Sequence, residues 1–284
     1  MGRFSDILFT VDFDRTLTAR DSSIPERNLT AIAYFMENGG TFTVNTGRSL
    51  PMTASFRDKV PTNAPWILYN GSAAFDPKTE EFLFAHEISL DPVQVLQEVM
   101  EAFPELPVEI QGVDAHIIFR DDPAWVAFTA ANGCAWKRMD VGEAFGPFLK
   151  MSIYGKLSKT SVAHLFEATA AEAAQVDRAE EWINRRYGDA IQVIRVAKRI
   201  IDCHAPGISK GNAARLLQQK LGKKTLICVG DEQNDLTMLD MADYGFVPAD
   251  SPLAGRYETV CPCGDGAVAD VIYEKIPKIL AKNP

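Results

Sequence analysis

Ile7-Leu8-Phe9-Thr10-Val11-Asp12-Phe13-Asp14-Arg15-Thr16-Leu17-Thr18 is an apolar, β-rich run that discharges into two carboxylates and a hydroxyl. Asp12, Asp14 and Thr16 stand at i, i+2 and i+4, a spacing that on an extended strand puts all three on one side. A buried strand that ends in like charges must offset their desolvation with hydrogen bonds or a cation. A hard divalent cation such as Mg²⁺ suits carboxylate oxygen and keeps positions open for a phosphate. A strand end capped by Asx turns would carry the same residues, so the stretch alone leaves both readings standing.

Downstream, Ile24-Pro25-Glu26 suits a helix start, and Leu29, Ile32, Ala33, Phe35 and Met36 recur at helical spacing until Asn38-Gly39-Gly40 stops the helix. Thr41 to Asn45 is a short β run that delivers Thr46-Gly47-Arg48. In a parallel α/β sheet the loops at the carboxyl edge form the ligand crevice, so this segment and the acidic one would meet there. A hydroxyl beside glycine N–H groups makes a phosphate-oxygen donor set, although a turn with a surface arginine has the same sequence.

Trp66 to Tyr69 is a third β run, ended by Asn70-Gly71, and a hairpin turning at Asp76-Pro77-Lys78-Thr79 follows. From about His86 the pattern becomes α+β. Helices are predicted over Pro92 to Ala102, Ala124 to Asn132 and Ser158 to Ala173. Strands are predicted over Val108 to Gln111, Ala115 to Arg120, Phe148 to Tyr154, Ile191 to Ala197 and Arg199 to His204.

After Ala205 the first pattern returns. Ser209-Lys210-Gly211-Asn212 opens a helix running to Leu221, and the strand Thr225 to Val229 ends in Gly230-Asp231-Glu232-Gln233-Asn234-Asp235. An amphipathic helix, two short edge strands (Tyr244 to Val247, Thr259 to Cys261) and a terminal helix (Ala267 to Leu280) complete the chain. The predicted fold class is therefore α/β, a Rossmann-like parallel-sheet core at 1–85 and 205–284 interrupted by an inserted α+β domain at 86–204.

The 284 residues suffice for a substantial core, and their 46% hydrophobic and 24% charged content is ordinary for a globular protein. A net charge of −9 argues against nucleic acid or an anionic membrane as partner, and leaves a small molecule held in a local basic pocket. No apolar run approaches the ~20 residues of a membrane span, and the first strand begins too early to leave room for a signal peptide. Five scattered cysteines without a C-x-x-C pair fit free thiols, and the expected location is cytoplasmic. Cys261-Pro262-Cys263 and Cys203-His204 lack structural zinc spacing. His86, His116, His164 and His204 lack matching partners and read as structural or solvated; Trp125, Phe128, Trp136, Phe145 and Phe148 read as core packing. The expected assembly is a monomer or small homo-oligomer.

Three separated strand ends thus carry acid or hydroxyl groups, and one helix start carries Lys210; only the fold can bring Asp14 and Asp231 together. The chemistry that wants these groups in one place is phosphoryl transfer to a carboxylate. Asp12 would attack phosphorus, while Asp14 would protonate the leaving oxygen and then deprotonate the hydrolytic water. Mg²⁺ would sit between Asp12, the Phe13 carbonyl and Asp231. Lys210 and Thr46 would hold the non-bridging oxygens, Thr16 would orient Asp14, and Asn234 would lie within reach of a phosphate oxygen.

The segments D-x-D-R-T-L at 12–17, T-G-R at 46–48, S-K-G-N-A at 209–213 and G-D-E-Q-N-D at 230–235 resemble the four ordered motifs of the haloacid dehalogenase (HAD) superfamily. An insert between the second and third motifs is similar to that of its type IIB, Cof-like sugar phosphatases, which carry a C2B-type cap. The resemblance implies Asp12 as nucleophile, Asp14 as acid/base, and Mg²⁺ on Asp12, Asp14 and Asp231 with Asp235 supporting the metal. It implies phosphate binding by the Phe13 N–H, Thr46, Gly47, Lys210 and Asn234, with Arg48 completing the candidate set. The implied activity is Mg²⁺-dependent hydrolysis of small phosphorylated metabolites, sugar phosphates foremost, through an aspartyl-phosphate. A phosphohexose mutase and a non-catalytic phosphosugar-binding protein are the alternatives. Arg15 departs from the glycine usual in relatives, and Gly245 to Asp250 replaces their Ala-Met-Gly-Asn-Ala stretch.

Overall fold

The computed structural model describes residues 2–120, 123–131, 133–143, 145–155 and 168–282. Among these, the first part of the chain forms β1 (Ile7–Val11), α1 (Glu26–Glu37), β2 (Thr41–Val44), α2 (Leu50–Arg57), β3 (Trp66–Leu68), β4 (Ala73–Asp76) and β5 (Glu81–Ala85). The middle forms α3 (Pro92–Ala102), β6 (Val108–Gln111), β7 (His116–Ile118), α4 (Pro123–Ala131), β8 (Trp136–Arg138), β9 (Met151–Tyr154), α5 (Ala170–Tyr187), β10 (Gln192–Ala197) and β11 (Ile200–His204). The last part forms α6 (Lys210–Lys220), β12 (Thr225–Val229), α7 (Leu236–Met241), β13 (Tyr244–Pro248), β14 (Glu258–Val260), α8 (Ala267–Asp270) and α9 (Ile276–Lys282).

The contacts divide the chain into two compact units, Met1–Gly47 with Arg57–Phe84 and Ser209–Pro284, and Arg48–Phe56 with Ala85–Ile208. The stretch 48–56 therefore groups with the insert, a detail that the expected boundary at residue 85 did not contain.

In the first unit a five-stranded sheet runs β14-β13-β12-β1-β2 with every pair parallel. All five residues of β1 are buried, as suits a central strand in a sheet covered on both faces. Val11 pairs with both Val229 and Val44, so three strands end level and release Asp12, Asn45-Thr46 and Gly230-Asp231 at one edge. β13, expected as an edge strand, is interior, because β14 covers its outer side. β3, β4 and β5 form a separate small sheet. The terminal helix is interrupted between α8 and α9 by a widened π-type turn at Val271–Lys275. Pro277 follows it and has no N–H to donate back into that turn.

The second unit holds a six-stranded sheet, β10-β11-β9-β6-β7-β8, antiparallel except for β7 with β8. Strand alternation sends Val108, Ile110, Met151, Ile153 and Ile201 into a core with Leu96 and Val99 of α3 and Val176 and Ile183 of α5. Four differences from expectation stand out. β8 was not foreseen, the β7 and β9 strands are shorter than predicted, and α5 continues to Tyr187. The predicted helix from Ser158 falls largely, at 158–167, outside the described residues, as does His164. A capping box between Thr169 and Glu172 starts α5.

The opposite face of that sheet is polar and also buried. Glu109 is 1% exposed and accepts from Gln111 Nε2 (2.8 Å), Tyr154 Oη (2.5 Å) and Trp125 Nε1 (2.7 Å), with His116 Nδ1 at ion-pair separation, 3.4 Å. Burial alone would raise the Glu109 carboxyl and lower the His116 imidazole. Burial is the largest single influence on each, but the opposite charge and the surrounding hydrogen bonds together outweigh it, placing Glu109 near 2 and His116 near 9. The two displacements are one interaction seen from both partners and count once. Because the imidazole lies above its ordinary 6.5, its contribution is complete below that pH and vanishes as pH rises through about 9. Urea unfolding should therefore show a loss between pH 6.5 and 9.5 that is larger in the wild type than in His116→Gln by on the order of 2–3 kcal/mol, the buried Asp12 and Asp231 contributing alike to both. Equal slopes in the two proteins would mean that the pair is neutral.

Candidate active site

The expectation that Asp12, Asp14 and Thr16 share one face of a strand does not hold. β1 stops at Val11, Asp12 is extended, and residues 13–17 form one wide turn closed by Leu17 N–H to Asp12 O (3.1 Å) and Thr18 N–H to Phe13 O (3.0 Å). Arg15 supplies the left-handed step, φ +57°. A glycine takes that conformation without strain, which gives physical content to the departure seen in the sequence. The turn still brings the two ends of the motif to one place. Thr16 Oγ1 donates to Asp231 Oδ1 (3.0 Å), so its partner is the acid of the fourth motif and not Asp14 as expected.

Around Asp12 the remote motifs converge. Lys210, the first residue of α6 and 1% exposed, donates through Nζ to Asp12 Oδ1 at 2.5 Å and to Asp235 Oδ1 at 2.6 Å. Ser209 caps α6 by accepting from Asn212 N–H, and Asn45 Nδ2 holds the Lys210 carbonyl at 2.9 Å. Asp235 spends its other oxygen on the N–H groups of Asp231 (2.8 Å) and Glu232 (3.0 Å), folding the loop after β12 around itself. Gly230 permits this: a Cβ there would lie 2.5 Å from Asp235 Cγ. Ser251 Oγ fixes the Asp231 carbonyl (2.7 Å).

Asp12, Asp231 and Asp235 are all buried, and each offers a carboxylate oxygen within 4.8 Å of the others. Burial, then the neighbouring carboxylates, push both Asp12 and Asp231 upward, with Lys210 and the Thr16 hydroxyl pulling the other way. Asp14 is partly exposed, and its charge also raises Asp12. Burial opposes the Lys210 charge, but Asp12 and Asp235 hold its pKa above the ordinary value. Three buried carboxylates against one ammonium leave an excess negative charge that a divalent cation would balance, and an all-oxygen donor set suits a hard one.

The second motif reaches the same edge. Thr46 is buried, its N–H bonded to Ile67 O (2.9 Å), and its carbonyl accepts from Asn70 N–H (3.1 Å). Gly47 lies against the Asn70 side chain: a Cβ would stand 2.6 Å from Asn70 Oδ1. That same oxygen accepts from Asn234 Nδ2 (3.1 Å), so Asn70 ties the T-G element to the fourth motif. Sequence reasoning missed it by reading Asn70-Gly71 only as a turn; the usable signal was its place at the end of a third β run. Phe13 is buried, with its ring 6.4 Å from that of Trp66. Arg48 groups with the second unit, its guanidinium 5.2 Å from the centre of the Phe56 ring, and is the one predicted site residue not in the first unit. Beside Asp231 a cavity of about 370 Å³ opens between Arg15, Arg20, Glu232, Asp250 and Ser251. The five cysteines are free, and no described helix is long and apolar enough to cross a membrane.

A parallel sheet whose strand ends gather an acidic trio, a buried lysine and a T-G turn defines a Rossmann-like hydrolase. The haloacid dehalogenase-like hydrolase profile matches residues 9–251, and the chain belongs to that family. It is similar to the 5-amino-6-(5-phospho-D-ribitylamino)uracil phosphatase YitU of Bacillus subtilis (strain 168), 23% identical over 84% of each chain. Its fold is similar to that of a haloacid dehalogenase-like hydrolase from Bacteroides thetaiotaomicron, with TM-score 0.78, 20% identity and coverage of 93% of this chain and 97% of the other. It also resembles the HAD subclass IIB sugar phosphatase BT4131, with TM-score 0.74, 16% identity and coverage of 96% and 98%. The expected family, the α/β fold with a parallel-sheet core and the phosphatase class of enzyme are borne out.

Proposed function

We propose that this hydrolase cleaves small phosphomonoesters, sugar phosphates foremost, by way of a phosphorylated Asp12. The observation that carries the reading is the bridge from Lys210 to Asp12 and Asp235 beside Asp231, which joins three motifs at one strand end. Asp12 and Asp231 would hold Mg²⁺ with Asp14 contributing at the same edge, and Asp235, bonded through both oxygens, would brace them. When bound, the metal supplies the positive charge that lets an anionic substrate approach an anionic nucleophile.

The remaining work falls to the chain. Lys210 orients the Asp12 carboxylate and faces the phosphate oxygens as charge moves onto them. A carboxylate oxygen of Asp12 bonds to phosphorus as the bond to the leaving oxygen breaks, and Asp14 gives that oxygen a proton. Asp14 then takes a proton from water, whose oxygen displaces Asp12 and releases phosphate. Thr46, Gly47 and the Phe13 N–H hold the non-bridging oxygens, with Asn70 and Asn234 fixing the T-G turn. In this reading the first unit performs the chemistry and the second selects the substrate.

The test is phosphate release from p-nitrophenyl phosphate and a panel of sugar phosphates, nucleotides and phosphorylated cofactors. We expect turnover with Mg²⁺ and its loss on chelation. Saturating Mg²⁺ should also raise the unfolding midpoint, by an amount equivalent to about 2–3 kcal/mol at 100-fold excess over Kd, and Asp231→Asn should remove that rise. Turnover that survives chelation would reject the metal assignment, and a need for a bisphosphate activator would favour a mutase.

A further inference from the structure

His116 is a buried, chargeable group that the proposed chemistry does not use. It sits at the start of β7 and its Nε2 lies 2.7 Å from Ser49 Oγ. Both side chains are fully buried. Ser49 follows Thr46-Gly47 by two residues, in the segment that groups with the second unit; the chain passes from one unit to the other at the Gly47–Arg48 peptide. Its hydroxyl oxygen also accepts from Met52 N–H (3.4 Å), at the first turn of α2.

A doubly protonated imidazole can only donate, and the hydroxyl oxygen keeps a second lone pair to accept from its Nε2–H. Glu109 at 3.4 Å makes the donor cationic, while Trp125, Tyr154 and Gln111 hold Glu109 in place and Cys134 lies against the ring. A chain of buried contacts thus runs from the β6 and β9 strands through one imidazole to the hydroxyl beside the phosphate-binding turn. No solvent competes for any link in it. The turn is fixed on one side by Asn70 and Ile67, and two residues downstream Ser49 is held by this contact.

We propose that His116 and Ser49 act as one positioning device, holding the peptide that leaves Thr46-Gly47 so that the turn is set for a phosphate. This rests on the T-G turn being the phosphate site, and it adds residues that no motif contains. The device acts on binding and not on bond breaking, because neither side chain reaches Asp12 or Asp14 through any bond described.

The experiment compares Ser49→Ala, His116→Gln and the double variant in the full-length protein with Mg²⁺. KM for p-nitrophenyl phosphate and Kd for inorganic phosphate by calorimetry are read beside kcat and the unfolding midpoint. Ser49→Ala, which leaves the Glu109–His116 pair intact, should raise KM and phosphate Kd together by about tenfold, the effect of one lost charge-assisted hydrogen bond, with kcat changed less than about twofold. The double variant should bind phosphate no more weakly than the worse single variant, since both remove one link. Unchanged phosphate affinity in a folded Ser49→Ala, a loss confined to kcat, or strictly multiplicative single effects would each overturn the proposal. Phosphate affinity needs no turnover, so a wild type that binds phosphate yet hydrolyses nothing would sink the phosphatase reading while this device is still judged. A wild type that binds no phosphate would sink both.

Discussion

Asp12→Asn should abolish turnover, lowering kcat by about four orders of magnitude or more, while the unfolding midpoint stays within about 3 °C of wild type. The two halves of this expectation come from different features. An amide oxygen is a poor nucleophile towards phosphorus and cannot leave from it as a carboxylate does, so both chemical steps fail. Stability is spared because Asp12 is one of three crowded buried carboxylates, and burial already disfavours its charge. Removing that charge relieves repulsion, and Lys210 retains Asp235. Asp14→Asn separates the two steps. It keeps the nucleophile, and p-nitrophenolate leaves without a proton, so phosphoprotein should accumulate while turnover falls by about 10²–10³-fold. Labelled phosphate retained on Asp14→Asn and absent from Asp12→Asn would mark the nucleophile; wild-type rates in either variant would reject the assignment.

Lys210→Met should cost about 3–5 kcal/mol of stability and about 10²–10³-fold in kcat. The ammonium is the only cation bonded to Asp12 and Asp235 among the described contacts, so methionine leaves two buried carboxylates facing each other. Without that cation burial would hold the Asp12 carboxyl still further above its ordinary value, and unfolding by urea should become easier as pH rises from 5 to 8. Lys210→Arg should not restore activity, because a planar fork cannot replace a compact ammonium shared between Asp12 at 2.5 Å and Asp235 at 2.6 Å. A native-like midpoint for Lys210→Met would mean that the bridge does not form in solution.

Much of this was legible because a parallel-sheet enzyme writes its site at strand ends. The buried runs Ile7–Val11, Thr41–Val44 and Thr225–Val229 each end in residues that bear chemistry, and the parallel register places those ends level. What stayed hidden depends on partners remote in sequence. The turn at 13–17 rests on one positive φ at Arg15, and nothing about an arginine announces that angle. Asn70 looks like any Asn-Gly turn until Gly47 and Asn234 close on it. Glu109, Gln111 and His116 alternate with apolar residues, as on a half-solvated strand. Their burial comes from contacts distant in the chain, including Trp125 and Ser49. The Thr169-x-x-Glu172 cap of α5 was available to sequence reasoning, but the alanines around it blurred where one helix ends and the next begins.

The strand order of the first unit has a consequence for biosynthesis. β12 lies between β1 and β13, so a nascent chain that has emerged only as far as His204 owns β1 and β2 but lacks the whole other half of their sheet. The stretch 85–208, by contrast, is already contiguous at that moment, and domains generally fold as units in the order they leave the ribosome. The exposed flank of β1 must then wait, at translation speed, for its neighbour. Stalling or truncation before Val229 would release an apolar strand edge to chaperones or aggregation, while the insert alone had reached its native form.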